Sequence, residues 1–366
     1  MKRRDFVKAV GAGAVLAGGL SACGGEQSAT AGSKAQDRET FTWRMVTTWP
    51  ENFPGLGTGA ARLAERIEAM SGGRMRIRIY AAGELVPALE AFDAVSRGTV
   101  ELGHGAAYYW KGKAPAAQFF AAVPFGMNAQ EMNAWLYYGG GVELWKTVYE
   151  PFGILPAPAG NTGVQMGGWF NKEIASVADL EGLRMRIPGL GAEVLERAGG
   201  VPVTLPGGEI FTSLKTGVID ATEWVGPWND LAFGLHQAAK YYYYPGWHEA
   251  GSTLECLINK TAFESLPEDL RAVVLAACQS INLDMLSEFT AKNPAALVAL
   301  KDEHGVDVRP FPEAVMQKLH AISRDVTAEL AASDPLAQEV HDSYFAFFKN
   351  VRAWHEISER AYYNMR

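Results

Sequence analysis

The chain predicts an α/β fold of two domains facing each other across a cleft. Strand-like and helix-like segments alternate, which argues for open, mainly parallel sheets with helices packed on them. The alternation also runs twice, with a second cycle starting near residue 161. A chain of 366 residues, 48% hydrophobic, has material for two cores of ordinary size.

In the first cycle, residues 41–47 alternate as a strand that Trp49-Pro50 ends. Leu63, Ile67 and Met70 recur at helical spacing over 60–70, and Gly72-Gly73 closes that helix. Residues 74–80 alternate basic with apolar side chains as a half-exposed strand, 89–96 read as a helix, and 100–103 as a short strand. In the second cycle, 164–170 and 183–187 are strand-like, Pro188-Gly189 stops the latter, and 192–198 form a helix ended by Gly199-Gly200. A strand at 201–205, a short helix at 209–216 and a strand at 221–224 follow. The four tyrosines 241–244 suggest a strand crossing back between domains. Residues 267–303 read as helical with Pro294 as a kink or break, and an amphipathic helix covers about 336–363.

The first residues predict export. Lys2, Arg3, Arg4 and Lys8 surround Asp5 and Phe6, then residues 9–22 run uncharged to Leu20-Ser21-Ala22-Cys23. That run is too short to span a membrane, which takes about 20 apolar residues. It fits an export signal, of twin-arginine type from Arg3-Arg4-Asp5-Phe6. Leu-Ser-Ala-Cys resembles a lipobox, with Cys23 lipidated, and 24–37 would be a flexible tether. The net charge is −8; because residues 1–22 carry a net of +3, the rest is near −11. That acidity argues against nucleic-acid and anionic-membrane partners. An anionic ligand must therefore be attracted locally. Cys256 and Cys278 lie in apolar runs and read as buried thiols rather than a bridge.

The chemistry concentrates in residues 182–249. Arg186 closes a strand, where its planar fork suits a carboxylate; Arg184 reads as a surface residue. Glu223 follows an apolar strand and precedes Trp224-Val225-Gly226-Pro227, and a buried acid there needs a partner or a cation. Glu249 ends the aromatic stretch Tyr241 to Trp247. Two carboxylates, a backbone carbonyl and ligand oxygens make a hard oxygen site for sodium or calcium. Trp49, Tyr108, Tyr109, Trp110, Trp224 and Trp228 are candidate walls, of which about half should touch ligand, while Asn161 and Asn229 are candidate supporting groups. There is no dinucleotide fingerprint, no zinc-protease motif and no nucleophile–base pairing, and His104 and His248 read as structural. Capture of a small organic anion therefore outranks catalysis, with an exported oxidoreductase as the enzyme alternative.

Several ordered segments carry a family resemblance. They include Gly83-Glu84-Leu85-Val86-Pro87 with Phe92-Asp93-Ala94-Val95, and Gly98 to Gly103 with Ala106-Ala107-Tyr108-Tyr109-Trp110-Lys111-Gly112-Lys113. Gly163-Val164-Gln165-Met166-Gly167-Gly168 and Asp179-Leu180-Glu181-Gly182-Leu183-Arg184-Met185-Arg186 continue it. The mature chain resembles the substrate-binding protein of a tripartite ATP-independent periplasmic (TRAP) transporter, of the DctP-like family. Gly217 to Pro227 with Tyr241 to Glu249 is similar to the branch that binds 2-oxo acids such as pyruvate.

The resemblance implies a periplasmic-binding-protein-like fold and a receptor that closes on its ligand and docks on a membrane permease. Domain I would comprise 40–160 plus about 247–285, and domain II 161–246 plus about 300–335. An inter-domain helix would cover 286–299 and a C-terminal helix 336–366. It implies Arg186 as the carboxylate clamp, and Glu223, the Trp224 carbonyl and Glu249 as ligands of a cation that bridges to the acid. Gln165 would hydrogen-bond beside it, with Tyr109, Trp49 and Asn161 completing the binding set. In that branch the C-terminal helix can swap between partners, so a homodimer is a further expectation. A 2-hydroxy acid such as lactate, or another organic acid, is the alternative ligand.

Overall fold

The computed structural model describes residues 39–366; the signal, lipobox and tether expected at 1–37 lie outside them. Eleven strands form two sheets among the described residues. They are β1 Phe41–Thr47, β2 Met75–Tyr80, β3 Leu102–Gly105, β4 Ile154–Asn161, β5 Gly168–Phe170, β6 Arg184–Arg186, β7 Val201–Val203, β8 Ala221–Thr222, β9 Tyr241–Tyr244, β10 Thr253–Asn259 and β11 Asp307–Pro310. The first sheet has the order β2-β1-β3-β10-β4 and the second β11-β9-β5-β8-β6-β7.

Neither sheet is as parallel as the alternation predicts. β1, β2 and β3 run parallel, but β10 is antiparallel to both β3 and β4. In the second sheet β6, β7 and β8 run parallel and β5 is antiparallel to β8 and β9. The reversals fall on strands next to the two loop crossings, 162–167 and 245–252: β10 is delivered from the second sheet, and β5 begins it. The third crossing, through the helix Glu268–Val298, leads to β11, which runs parallel to β9. β10 and β5 arrive without the helical crossover that makes neighbours parallel.

Apolar periodicity places the expected helices, while Ala129–Tyr138, Gly141–Tyr149 and Glu313–Ala332 had no counterpart in the sequence reading. Gly57–Met70 buries Ala60, Leu63, Ala64 and Ile67, and the chain leaves it through Gly72 and Gly73, both at positive φ. The 31-residue helix Glu268–Val298 packs on β4, on Gly57–Met70 and on the short helix Pro227–Ala232, and so touches elements attached to both sheets. Pro294 does not break it. The helix runs on to Val298 and loosens into a wide turn over Ala299–Glu303, so the missing N–H falls near an end. The final helix, Pro335–Ile357, is capped by the Asp334 carboxylate, which accepts from the Leu336 and Ala337 amides. It stops at Ser358, before a last turn Glu359–Tyr363, where the pattern had suggested one continuous helix. Cys256 and Cys278 are free and buried.

Candidate functional site

Parallel pairing brings the key residues together at strand ends. β6 and β8 are neighbours with Arg186 opposite Thr222, so Arg186 and Glu223 lie side by side at the carboxyl edge of the second sheet. Trp49 follows β1, and Tyr108 and Tyr109 follow β3, at the corresponding edge of the first sheet. Ligands of open α/β sheets bind at such edges.

The two loop crossings between the sheets, 162–167 and 245–252, run alongside each other. The Gly246 amide donates to the Gln165 carbonyl at 2.9 Å, and the Gln165 amide to the Glu249 carbonyl at 3.1 Å. These contacts carry Gln165 and Glu249 into the same place. Gly168 needs its positive φ of 115°, and a Cβ there would sit 2.5 Å from the Thr222 carbonyl oxygen.

Around this point lies a cavity lined by Trp49, Leu56, Tyr108, Tyr109, Thr162, Gln165, Arg186, Trp224, Val225 and Leu254. Its empty volume is about 250 Å³, counting space open to solvent. Its wall is divided: Trp49, Leu56, Trp224, Val225 and Leu254 are apolar, while the tyrosines, Thr162, Gln165 and Arg186 bring polar groups.

Arg186 and Glu223 are each 1% exposed and form a buried ion pair through Nη1 and Oε1. Arg186 Nε donates to the Leu205 carbonyl at 3.2 Å, Nη2 donates to the Tyr109 hydroxyl at 3.3 Å, and the guanidinium carbon lies 5.1 Å from the Trp224 ring centre. Burial opposes its charge, but Glu223 and the two tyrosines outweigh that and keep it firmly protonated. Gln165 Nε2 donates to Glu249 Oε2 at 2.7 Å. Burial, and then the neighbouring Glu223, push the Glu249 carboxyl up to about 7.

Glu223, His248 and Glu249 place one ligand atom each within 4.8 Å of one another, all buried. When Glu249 ionises, its charge is added to an Arg186–Glu223 pair that is already balanced. Among the described residues the Glu223, Val225 and Gly226 carbonyls accept hydrogen bonds, while none reaches the Trp224 carbonyl. Gln165 Oε1 also has no partner. This donor set, dominated by oxygen with two acids and free carbonyl-type oxygens, fits a hard cation.

Some expected residues lie elsewhere. Asn161 does not line the cavity: its Nδ2 donates to the Gly251 carbonyl and Thr253 hydroxyl, and its Oδ1 accepts from the Gly163 amide, bracing a crossing. Trp110 donates instead to buried Glu255, and Trp228 packs on Phe289. Arg184 pairs with Asp220 at the surface, as expected. His248 sits closer to the acids than a structural reading suggests, 3.3 Å from Glu223 Oε2. Only its neighbour Glu249 hinted at this. Leu56, Thr162 and Leu254 carried no sequence signal, because tertiary packing alone brings them to the wall. His104 is structural: its Nδ1 accepts from Trp49 Nε1 at 2.7 Å and its Nε2 donates to the Ala159 carbonyl at 3.1 Å. Burial lowers its pKa to about 4, so it stays neutral while holding Trp49 against the cavity.

Two α/β sheets with a small charged cavity between their carboxyl edges define a solute-binding protein. Residues 45–334 match the profile of the DctP family, described as bacterial extracellular solute-binding protein, family 7, and the chain belongs to that family. It is 47% identical over 322 residues, 88% of each chain, to a protein of Nostoc sp. named monocarboxylate 2-oxoacid-binding periplasmic protein. It is also similar to a TRAP periplasmic solute-binding protein of Colwellia psychrerythraea with bound calcium and pyruvate. That structure has a TM-score of 0.87 and 44% identity over 90% of this chain and 100% of that one. A TRAP periplasmic solute-binding protein of Pseudoalteromonas atlantica with bound sodium and pyruvate gives the same TM-score and identity, over 89% of this chain and 99% of that one.

Proposed function

We propose that this protein is the periplasmic receptor of a TRAP transporter, and that it captures a small 2-oxo acid such as pyruvate together with a sodium or calcium ion. The observation that carries the reading is the buried cluster of Arg186, Glu223 and Glu249 beneath a small, half-apolar cavity. The relatives' cation and pyruvate support it. Arg186, Tyr109 and Gln165 supply polar contacts to the acid, and Trp49 and Trp224 enclose its apolar part. Glu223, Glu249 and the Trp224 carbonyl would hold the cation, which would supply a positive charge for the ligand's carboxylate and oxo oxygens.

The receptor's work is binding, not bond-making. An open cleft admits the acid, and contacts from both sheets favour the closed form only as far as the ligand binds that form better. The first sheet then belongs to domain I and the second to domain II, with the segments 162–167 and 245–252 and the long helix Glu268–Val298 as the three connections between them. The loaded receptor would deliver its acid to the membrane permease subunits. Residues 1–22 would direct export by the twin-arginine route, with Cys23 as the lipid-bearing residue. Apolar Trp354, Ile357, Tyr362 and Tyr363 stand exposed at the end of the chain and support a dimer through this region.

Thermal shift of the mature protein with 2-oxo and 2-hydroxy acids, each with calcium or with chelator, tests the assignment. Pyruvate at a hundred times its Kd should add about 2.7 kcal/mol when the cation is present. A response only to a dicarboxylate or sugar acid would reject the 2-oxo acid and leave the receptor role standing.

A further inference from the structure

Asp230 accepts from the amide that follows Trp224, a proposed cation ligand, and contributes no wall to the cavity. It belongs to Pro227–Ala232, is fully buried and draws four donors to one carboxylate. Oδ1 accepts from the Val225 and Gly226 amides at 3.3 and 3.2 Å. Oδ2 accepts from Trp169 Nε1 at 3.0 Å and the Tyr242 hydroxyl at 2.7 Å. Trp169 and Tyr242 are stacked with ring centres 4.1 Å apart and belong to adjacent strands β5 and β9. The carboxylate therefore ties the segment after Glu223 to the middle of the second sheet.

The Val225 amide belongs to the same planar unit as the Trp224 carbonyl. In a trans peptide the N–H and C=O point in opposite directions, so drawing the N–H toward Asp230 turns the carbonyl away from it. An anionic acceptor on the amide also polarises the peptide and enriches the carbonyl oxygen. That oxygen is the one in its segment that receives no hydrogen bond among the described residues.

We infer that Asp230 is a positioning residue that orients and strengthens the Trp224 carbonyl as a cation ligand, an assignment that rests on the cation reading above. Groups that orient a metal's ligands commonly change its affinity about 10- to 100-fold when altered. Asp230→Asn keeps the shape but offers one acceptor oxygen to four donors. Tyr242→Phe removes one Oδ2 donor and leaves both backbone contacts.

The test is calcium titration of the mature protein, with and without pyruvate, on both variants. Asp230→Asn should lose at least about tenfold in calcium affinity. Tyr242→Phe should lose thermal stability but keep its calcium affinity. Trp224-Val225 is the one Trp-Val pair in the sequence, so ¹³C-carbonyl tryptophan with ¹⁵N-valine yields a single correlated NMR signal for this peptide. Its amide should exchange slowly before calcium is added, and its carbonyl shift should move on addition.

A folded Asp230→Asn variant with native calcium affinity overturns the inference. If that variant does not fold, fast exchange of the Val225 amide in the native protein, or a carbonyl shift unmoved by bound calcium, overturns it instead. Native protein that binds pyruvate equally well with cation or chelator removes the cation reading itself. That result is separable, because it appears before any variant is made.

Discussion

Arg186 spends Nε on the Leu205 carbonyl, Nη1 on Glu223 and part of Nη2 on Tyr109. Of five guanidinium protons, little remains for a ligand unless Tyr109 or Glu223 yields. Arg186→Lys keeps the charge but loses the fork, and charged hydrogen bonds are worth roughly 1.5–3 kcal/mol each. Affinity for pyruvate should therefore fall about 10- to 100-fold by calorimetry, and near-native affinity would remove Arg186 from the contact set. The sequence showed Arg186, Glu223 and Glu249 because a charged residue beside strand and aromatic patterns is conspicuous. It did not show that Asn161 is consumed by a crossing, since its partners Gly251 and Thr253 lie 90 residues away.

A second residue makes a pH prediction. Glu255 on β10 is fully buried, accepts from Trp110 Nε1 and from the Tyr149 hydroxyl at 3.2 Å, and is pushed up to about 8 by burial. Unfolded, it ionises near 4.5. Between these values the folded chain holds a proton that the unfolded chain has lost. Its contribution is thus fully present below 4.5, declines as pH rises, and is gone above about 8. Glu255→Gln keeps an acceptor for both donors and cannot ionise. Denaturant unfolding at pH 5 and 8.5 should show a smaller loss of stability in the variant than in the native protein; equal losses would place the pH dependence elsewhere.

At the scale of elements, the helices were the most legible part. Leu63 and Ile67 announce a buried face by spacing alone. Strand direction was not legible, because β10 reads the same whichever way it enters the sheet. The C-terminal helix shows a further limit. Its helical spacing was legible, but not what it packs on: Tyr344 is fully buried and its hydroxyl accepts from the Met127 amide at 2.8 Å. Trp135 Nε1 donates to Ser343, and His355 lies 2.7 Å from Glu131, so this helix is tied to the helix Ala129–Tyr138. Tyr344→Phe would strand the buried Met127 amide, costing roughly 1–3 kcal/mol in chemical denaturation. A cost near zero would mean that water reaches Met127.

For the whole molecule, entry and exit of the acid require motion, since residues that line the cavity are almost wholly buried, Arg186 at 1% and Gln165 at 4% exposed. The closed arrangement is held by contacts away from the ligand. Lys111 reaches Glu193 at 3.1 Å, and Asn229 Nδ2 donates to the Pro54 carbonyl at 2.9 Å, each joining residues attached to different sheets. Lys111–Glu193 is partly exposed and contributes little. Asn229 is fully buried and absent from the cavity wall, so its bond acts on the closed state alone. Loss of one such bond costs about 0.5–1.5 kcal/mol. In Asn229→Ala that cost shifts the closed–open balance, and apparent pyruvate affinity should fall by roughly threefold to tenfold. Because closure follows entry, the change should appear as faster release in stopped-flow, with association nearly unaltered. Small-angle scattering adds an independent check: the native protein should contract on adding pyruvate with calcium, and the variant should need more pyruvate for the same contraction. Slower association with unchanged release would mean that Asn229 shapes the entrance rather than holding the cleft shut.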